Sequence, residues 1–270
     1  MLALHECASL SAQPPPPAEF RCLVQDPLDG PSAAPGDKRW FCPHAATQCY
    51  EGGFDAASTD ANAIAAAVHD DGFAVVRAGL ATGFVEECAA AFSSRLEAHI
   101  ARIGANDPET RNRGPHRHYI DMPVVLPFAQ IVEPPLVAAI VHRLLGPEAA
   151  AERLASDTPL GSGSVYQALH PDGAAAGPFR RPGELLEREG LAGSLVLNWP
   201  LCDVTEANGP LEISAGSHRY PLAHAHARIA DGTAPLQRVL LRKGDFLLRD
   251  LRTLHRGTPN TTAVPRPNMT

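Results

Sequence analysis

The stretch Gly244-Asp245-Phe246-Leu247-Leu248-Arg249-Asp250-Leu251-Arg252-Thr253-Leu254-His255-Arg256-Gly257-Thr258-Pro259-Asn260 decides the fold. Lys243-Gly244-Asp245 reads as a turn. Residues 246–255 read as one β-strand that delivers His255 at its far end, and Gly257, Pro259 and Asn260 reverse the chain. The returning strand carries Arg266, 11 residues past the histidine. Upstream, Tyr166-Gln167-Ala168-Leu169-His170-Pro171-Asp172 closes another strand with His-x-Asp. Alternate residues of a strand face the same way, so the His170 imidazole and the Asp172 carboxylate converge if the chain stays extended. Pro171 favours that, because proline holds the residue before it extended. A lone His-x-Asp arises often by chance; the second element, 85 residues downstream, changes the odds. Two imidazoles and one carboxylate on one face of a metal leave the other positions open, the arrangement that non-haem Fe(II) uses to activate O2. A guanidinium nearby can clamp the far carboxylate of a keto acid with two parallel hydrogen bonds, which Lys cannot reproduce.

Outward from this stretch, the second half of the chain consists of short Val-, Leu- and Ile-rich runs bounded by turn residues. Strands are predicted at 164–169, 194–201, 211–214 and 238–241. The preceding region is helical in spacing. Ser58 or Thr59 can cap a helix at 61–69 that Gly72 stops, a strand follows at 73–77, and a second helix runs over 81–103. A polar loop at 106–118 leads to a helix at 134–145, with proline near its start and Gly146 at its end. Helices first and many strands afterwards predict an α+β, mainly β protein with an antiparallel sandwich or barrel. Residues 1–58 are Pro-rich and read as a loosely ordered N-terminal extension with one short strand at 20–24, leaving 59–270 as the folded unit.

Composition sets the outer bounds. The 270 residues are 44% hydrophobic and 20% charged, as in a globular chain, and the net charge of −7 offers no attraction to phosphates. Nucleic acid and anionic membranes are therefore disfavoured as partners, and a small molecule is expected instead. No secretory signal and no run of about 18 apolar residues is visible, which reads as a soluble, cytoplasmic protein. Thr270 falls in what reads as mid-strand, so a frame that continues past it is expected. The six cysteines need not form a disulfide framework in a chain of this length, and Cys42, His44 and Cys49 are one ligand short of a structural zinc site.

Twelve histidines invite competing assignments. His116, His118 and Asp121 form a second His-x-His with a carboxylate, in a loop that reads as solvated or substrate-facing. Its Arg111, Arg113 and Arg117 read first as plain surface charge and second as contacts for an anionic substrate. His224 and His226 read as surface residues, His218 as part of a structural Gly-Ser-His turn, and Arg180 and Arg181 as candidates for a lid.

Three blocks resemble the phytanoyl-CoA dioxygenase family of Fe(II)- and 2-oxoglutarate-dependent oxygenases. His170-Pro171-Asp172 looks like its His-x-Asp. His255 through Asn260 looks like its distal histidine with a Gly and a Pro-Asn turn, with Arg266 at the family's interval. Asn208-Gly209-Pro210-Leu211 and Ala215-Gly216-Ser217-His218 are similar to the block between them, Ala215 standing where the family usually has Pro. With the weaker stretch around Asp71-Gly72-Phe73, the likeness covers about residues 64–270. It implies a double-stranded β-helix (jelly-roll, cupin-like) core with flanking N-terminal helices. It also implies Fe(II) held by His170, Asp172 and His255, Arg266 on the far carboxylate of 2-oxoglutarate, and Asn198 beside that cosubstrate. O2 would be the oxidant, ascorbate an accessory reductant, and succinate and CO2 the coproducts. Halogenating members replace the Asp by a small residue; Asp172 therefore implies hydroxylation or a related oxidation. A catalytically silent binding module commonly lacks a ligand, and an unrelated cupin-type metal protein would not require Arg266.

Overall fold

In the computed structural model, residues 48–106, 114–132, 134–161, 163–172 and 194–270 are described. Three layers pack together: helices, a seven-stranded sheet and a four-stranded sheet. The central strands show why. In β3 (Phe73–Arg77), Phe73 and Val75 point into a core shared with the small sheet, while Ala74 and Val76 point into a core shared with the helices. In β9 (Phe246–Asp250), Leu247 faces the first core and Phe246 and Leu248 the second. A strand buried on both faces reads as a continuous apolar run, as Phe73–Val76 and Phe246–Leu248 do. The helical layer comprises α1 (Ala61–Asp71), α2 (Thr82–Ile103), the short α3 (Ala129–Val132) and α4 (Pro135–Leu145). Val85, Cys88, Phe92 and Leu96 recur at the three- and four-residue spacing of one helical face and bury it.

The large sheet runs β2 (Phe54–Asp55), β3, β9, β6 (Leu195–Pro200), β11 (Asn268–Met269), β5 (Ala155–Pro159), β4 (Arg117–Asp121). The small sheet runs β1 (Gln48–Cys49), β8 (Leu236–Val239), β7 (Leu211–Ser214), β10 (His255–Gly257). Strands β1 and β2 lie within the stretch read as loose extension, yet each pairs in parallel with a sheet strand, so sheet structure is present from Gln48. The strand expected at 20–24 lies outside the described residues. At the other end, β11 pairs with both β5 and β6, and Thr270 exchanges backbone hydrogen bonds of 2.8 and 2.7 Å with Ala155. No helix among the described residues is long and apolar enough to cross a membrane.

Several expectations need correction. The single strand at 246–255 is two strands in different sheets, β9 and β10, joined by a corner. Asp250 builds the corner: its backbone carbonyl accepts from Thr253 N–H, and its carboxylate takes both the backbone N–H and the guanidinium of Arg252. The loop at 106–118 ends in strand β4, which starts at Arg117. Strand β5 went unpredicted because its Ser156 and Thr158 look polar; their buried hydroxyls bond each other at 2.7 Å. Residues 164–169 form no strand, only an extended run ending in a bridge at His170. His224 and His226 lie on helix α5 (Leu222–Ala230); His224 stacks on Tyr220, and burial pushes the His226 pKa down, so neither is a plain surface residue.

Helix α1 is capped by Asp60, whose carboxylate accepts from Asn62 N–H, because Ser58 is already engaged with Asp55. Its other end is set by Gly72 at φ 81°, in the left-handed region. A Cβ at Gly72 would stand 2.5 Å from His218 Nδ1 and from Thr253 Oγ1, both buried. His218 has the structural role expected, with Nε2 on the His69 carbonyl at 3.0 Å. Gly72→Ala therefore combines backbone strain with overpacking and is expected to cost about 2–4 kcal/mol. Urea unfolding of the variant checks this; a loss below about 1 kcal/mol, no more than a tolerated volume change, would mean that His218 and Thr253 give way easily.

Candidate metal centre

His170 and His255 face each other across an antiparallel bridge in which each backbone N–H donates to the other's carbonyl at 3.0 Å. This sets their ring centroids 4.6 Å apart. Asp172 N–H donates to the Leu251 carbonyl at 2.8 Å, so the corner between β9 and β10 also places the carboxylate. Asp172 Oδ1 lies 3.9 Å from His170 Nε2, and Oδ2 lies 3.7 Å from His255 Nε2. Among the described residues, these three are the group of His, Cys, Asp or Glu whose ligand atoms converge, all within 4.8 Å of one another.

The tautomers follow from the hydrogen bonds. His170 Nδ1 is 2.6 Å from the Ala168 carbonyl and His255 Nδ1 is 2.9 Å from the Thr253 carbonyl. A carbonyl only accepts, so each Nδ1 carries the hydrogen and each Nε2 presents a lone pair toward Asp172. Such a contact orients a metal-binding imidazole and raises its basicity. Burial and then the Arg249 charge push the His255 pKa well below its ordinary value, which keeps the ring neutral, as a ligand must be. Burial opposes ionisation of Asp172, but the Arg249 charge leads the interactions that outweigh it, and the carboxyl is held well below the usual range. Arg249 Nη2 bonds directly to Asp172 Oδ2.

The three residues line a cavity of about 1350 Å³ that reaches both sheets and continues toward α4. Arg266 lines the same cavity and is 7% exposed, with its backbone N–H on the Pro159 carbonyl. Its guanidinium makes no hydrogen bond among the described residues, and its Nε is buried without a partner. Burial first, and the neighbouring Arg117 next, push its pKa down to about 10, so it remains charged at neutral pH. Asn198 also lines the cavity and accepts from Arg249 Nε at 3.3 Å.

Of two further cavity residues, Arg117 reads in sequence first as surface charge and second as a substrate contact, and Arg249 carries no expected role. Arg117 is not a surface charge: it is buried on β4, with Nη1 3.3 Å from Asp157 and Nη2 3.1 Å from the Thr258 carbonyl. Gly257 makes room for it, since a Cβ there would sit 2.5 Å from Arg117 Nη2. Arg249 shares the inward face of β9 with Leu247, a parity that alternation along 246–250 could have revealed. The rival cluster does not assemble. His118 is buried with Nε2 on the Ala105 carbonyl, while Asp121 is exposed and paired with Arg153 at 2.6 Å. Cys42, His44, Arg111, Arg113, Arg180 and Arg181 lie outside the described residues.

Similar solved structures include SnoK, a non-heme alpha-ketoglutarate dependent carbocyclase from nogalamycin biosynthesis. It shares 19% identity over 81% of this chain and 85% of its own, with a TM-score of 0.57. The epimerase SnoN in complex with Fe3+, alpha ketoglutarate and nogalamycin RO is 24% identical over 77% of this chain and 81% of its own, with a TM-score of 0.57. EctD from S. alaskensis with 2-oxoglutarate and 5-hydroxyectoine is 18% identical over 78% of this chain and 74% of its own, with a TM-score of 0.55. At these identities the likeness speaks for a common fold. The sequence itself matches the profile of Phytanoyl-CoA dioxygenase (PhyH) over residues 68–268. That match spans most of the chain and contains all three converging residues and Arg266: the protein belongs to the phytanoyl-CoA dioxygenase (PhyH) family.

Proposed function

We propose that this protein is an Fe(II)- and 2-oxoglutarate-dependent dioxygenase that hydroxylates a small organic substrate, with succinate and CO2 as coproducts. The observation that carries the reading is one cavity holding both a His-Asp-His cluster with fixed tautomers and a buried guanidinium that makes no hydrogen bond among the described residues. Two neutral imidazoles and one carboxylate suit Fe(II) and leave its remaining positions for a chelating keto acid and O2. The bound metal with its cosubstrate supplies oxidising power for a C–H bond; the protein supplies placement and a dry pocket. In this reading His170, Asp172 and His255 hold the ion and Arg266 fixes the far carboxylate of 2-oxoglutarate. Asn198 stands beside the cosubstrate and restrains Arg249. We read the two facing sheets as the double-stranded β-helix, with 59–270 as the oxygenase domain and β1 and β2 added at its edges.

Anaerobic addition of Fe(II) and 2-oxoglutarate tests the reading. Chelation at an open facial site gives a weak visible charge-transfer band that neither component gives alone. Protein that holds Fe(II) yet shows no band with saturating 2-oxoglutarate would overturn it.

A further inference from the structure

Among the described residues, the charge lining the cavity does not balance. If the site fills as proposed, on which this inference rests, a divalent ion and Arg266 are matched by Asp172 and the two carboxylates of 2-oxoglutarate. Arg117 is matched by Asp157 at 3.3 Å. Asp121, at the rim, is paired with Arg153, and Glu148 and Glu152 are exposed, where water screens them. Both coordinated imidazoles are neutral. Arg249 is left over, one full positive charge on a side chain only 5% exposed. Its Nη2 bonds Asp172 and its Nε bonds Asn198, while Nη1 is buried without a partner among the described residues. A buried cationic donor in that state is costly until an acceptor arrives.

We propose that Arg249 binds a carboxylate of the prime substrate, beside the metal end of the cavity, so that this enzyme acts on an organic acid. The rest of the lining describes the body of that acid. Met122, Val124, Ile131, Val137 and Val141 form an apolar wall running toward α4, suited to a hydrocarbon or aromatic portion. The acid group meets Arg249 and the apolar body lies along this wall. Because 2-oxoglutarate is itself an acid, the test must saturate its site first.

The test uses the full-length protein loaded with Mn(II), which is redox-silent here, and saturated with 2-oxoglutarate. Calorimetry then measures binding of three acid and amide pairs of graded size: acetate and acetamide, benzoate and benzamide, decanoate and decanamide. At least one acid is expected to bind about tenfold more tightly than its amide, consistent with one charge-assisted contact. Arg249→Met should bring that ratio within twofold while leaving binding of the amide unchanged, and Arg249→Lys should retain an intermediate ratio. If Arg249→Met loses Mn(II) or melts early, the Lys variant, which preserves the charge, carries the comparison. No acid preference in any pair, or a preference undiminished from wild type in the variant that holds Mn(II), overturns the proposal. Loss of affinity for 2-oxoglutarate in Arg249→Met, with acid preference intact, also overturns it and assigns Arg249 to the cosubstrate. Wild-type protein that takes up neither Mn(II) nor 2-oxoglutarate refutes the oxygenase reading instead.

Discussion

Asp172→Ala, His170→Ala and His255→Ala are each expected to lower Fe(II)-dependent succinate formation by at least about a hundredfold, since even partners that merely orient a metal ligand cost about 10–100-fold. Their effects on the metal-free fold should differ, and the difference separates loss of a ligand from loss of structure. Asp172 is the anionic partner of Arg249, which is 5% exposed. Removing it strands a buried charge, an event that costs about 3 kcal/mol or more in proteins. Removing the partly exposed His170 ring leaves the Asp172–Arg249 pair in place, so its Ala variant should melt close to wild type while losing the metal equally. Differential scanning calorimetry of the metal-free variants, with Mn(II) titrations beside it, makes the comparison. A His170 or His255 variant with near wild-type Mn(II) affinity and turnover would remove that residue from the ligand set.

How much of this site could be read in advance depended on whether a residue's role is local. His170, Asp172, His255 and Arg266 sit in short motifs whose spacing survives whatever the chain does between them, and the structure brings the first three within 4.8 Å and puts the fourth in the same cavity. The strand β3 and the helix α2 were legible because a buried strand and an amphipathic helix each repeat a pattern over several residues. What failed was long-range. Nothing local announces that 246–255 breaks at Asp250, because the corner exists to carry the chain from one sheet to the other. Nor does Arg117 look like a core residue in a basic, polar loop. Its burial depends on Asp157, 40 residues away, and on Gly257, farther still. The polar β5 was lost for the same reason: its hydroxyls satisfy one another inside the sheet, and a hydrophobic pattern cannot register that.

Arg266 offers the sharpest test of whether the cavity is built for a dicarboxylate. Its guanidinium is buried, lies near a second guanidinium and makes no hydrogen bond among the described residues. Burial and Arg117 together push its pKa down to about 10. A cation whose folded-state pKa is lowered is destabilised by folding, on the order of 3 kcal/mol for a shift of this size. Both folded and unfolded forms stay charged below pH 10, so that cost is present throughout the neutral range. An arginine kept under those conditions makes sense if a ligand repays it, with two parallel charged hydrogen bonds to one carboxylate. Arg266→Met is therefore expected to weaken 2-oxoglutarate binding by about a hundredfold or more, at about 1.5–3 kcal/mol for each charged hydrogen bond lost. Mn(II) affinity should stay within threefold, and the variant should melt no lower than wild type, since the repulsion with Arg117 disappears. Arg266→Lys should recover only part of the affinity, because an ammonium cannot meet both carboxylate oxygens at once. Binding of 2-oxobutyrate, which keeps the keto acid and lacks the distal carboxylate, should not distinguish wild type from Arg266→Met. Equal losses for 2-oxobutyrate and 2-oxoglutarate would show that Arg266 acts on the pocket as a whole and not on the distal carboxylate. Unchanged 2-oxoglutarate affinity would remove Arg266 from the cosubstrate site altogether.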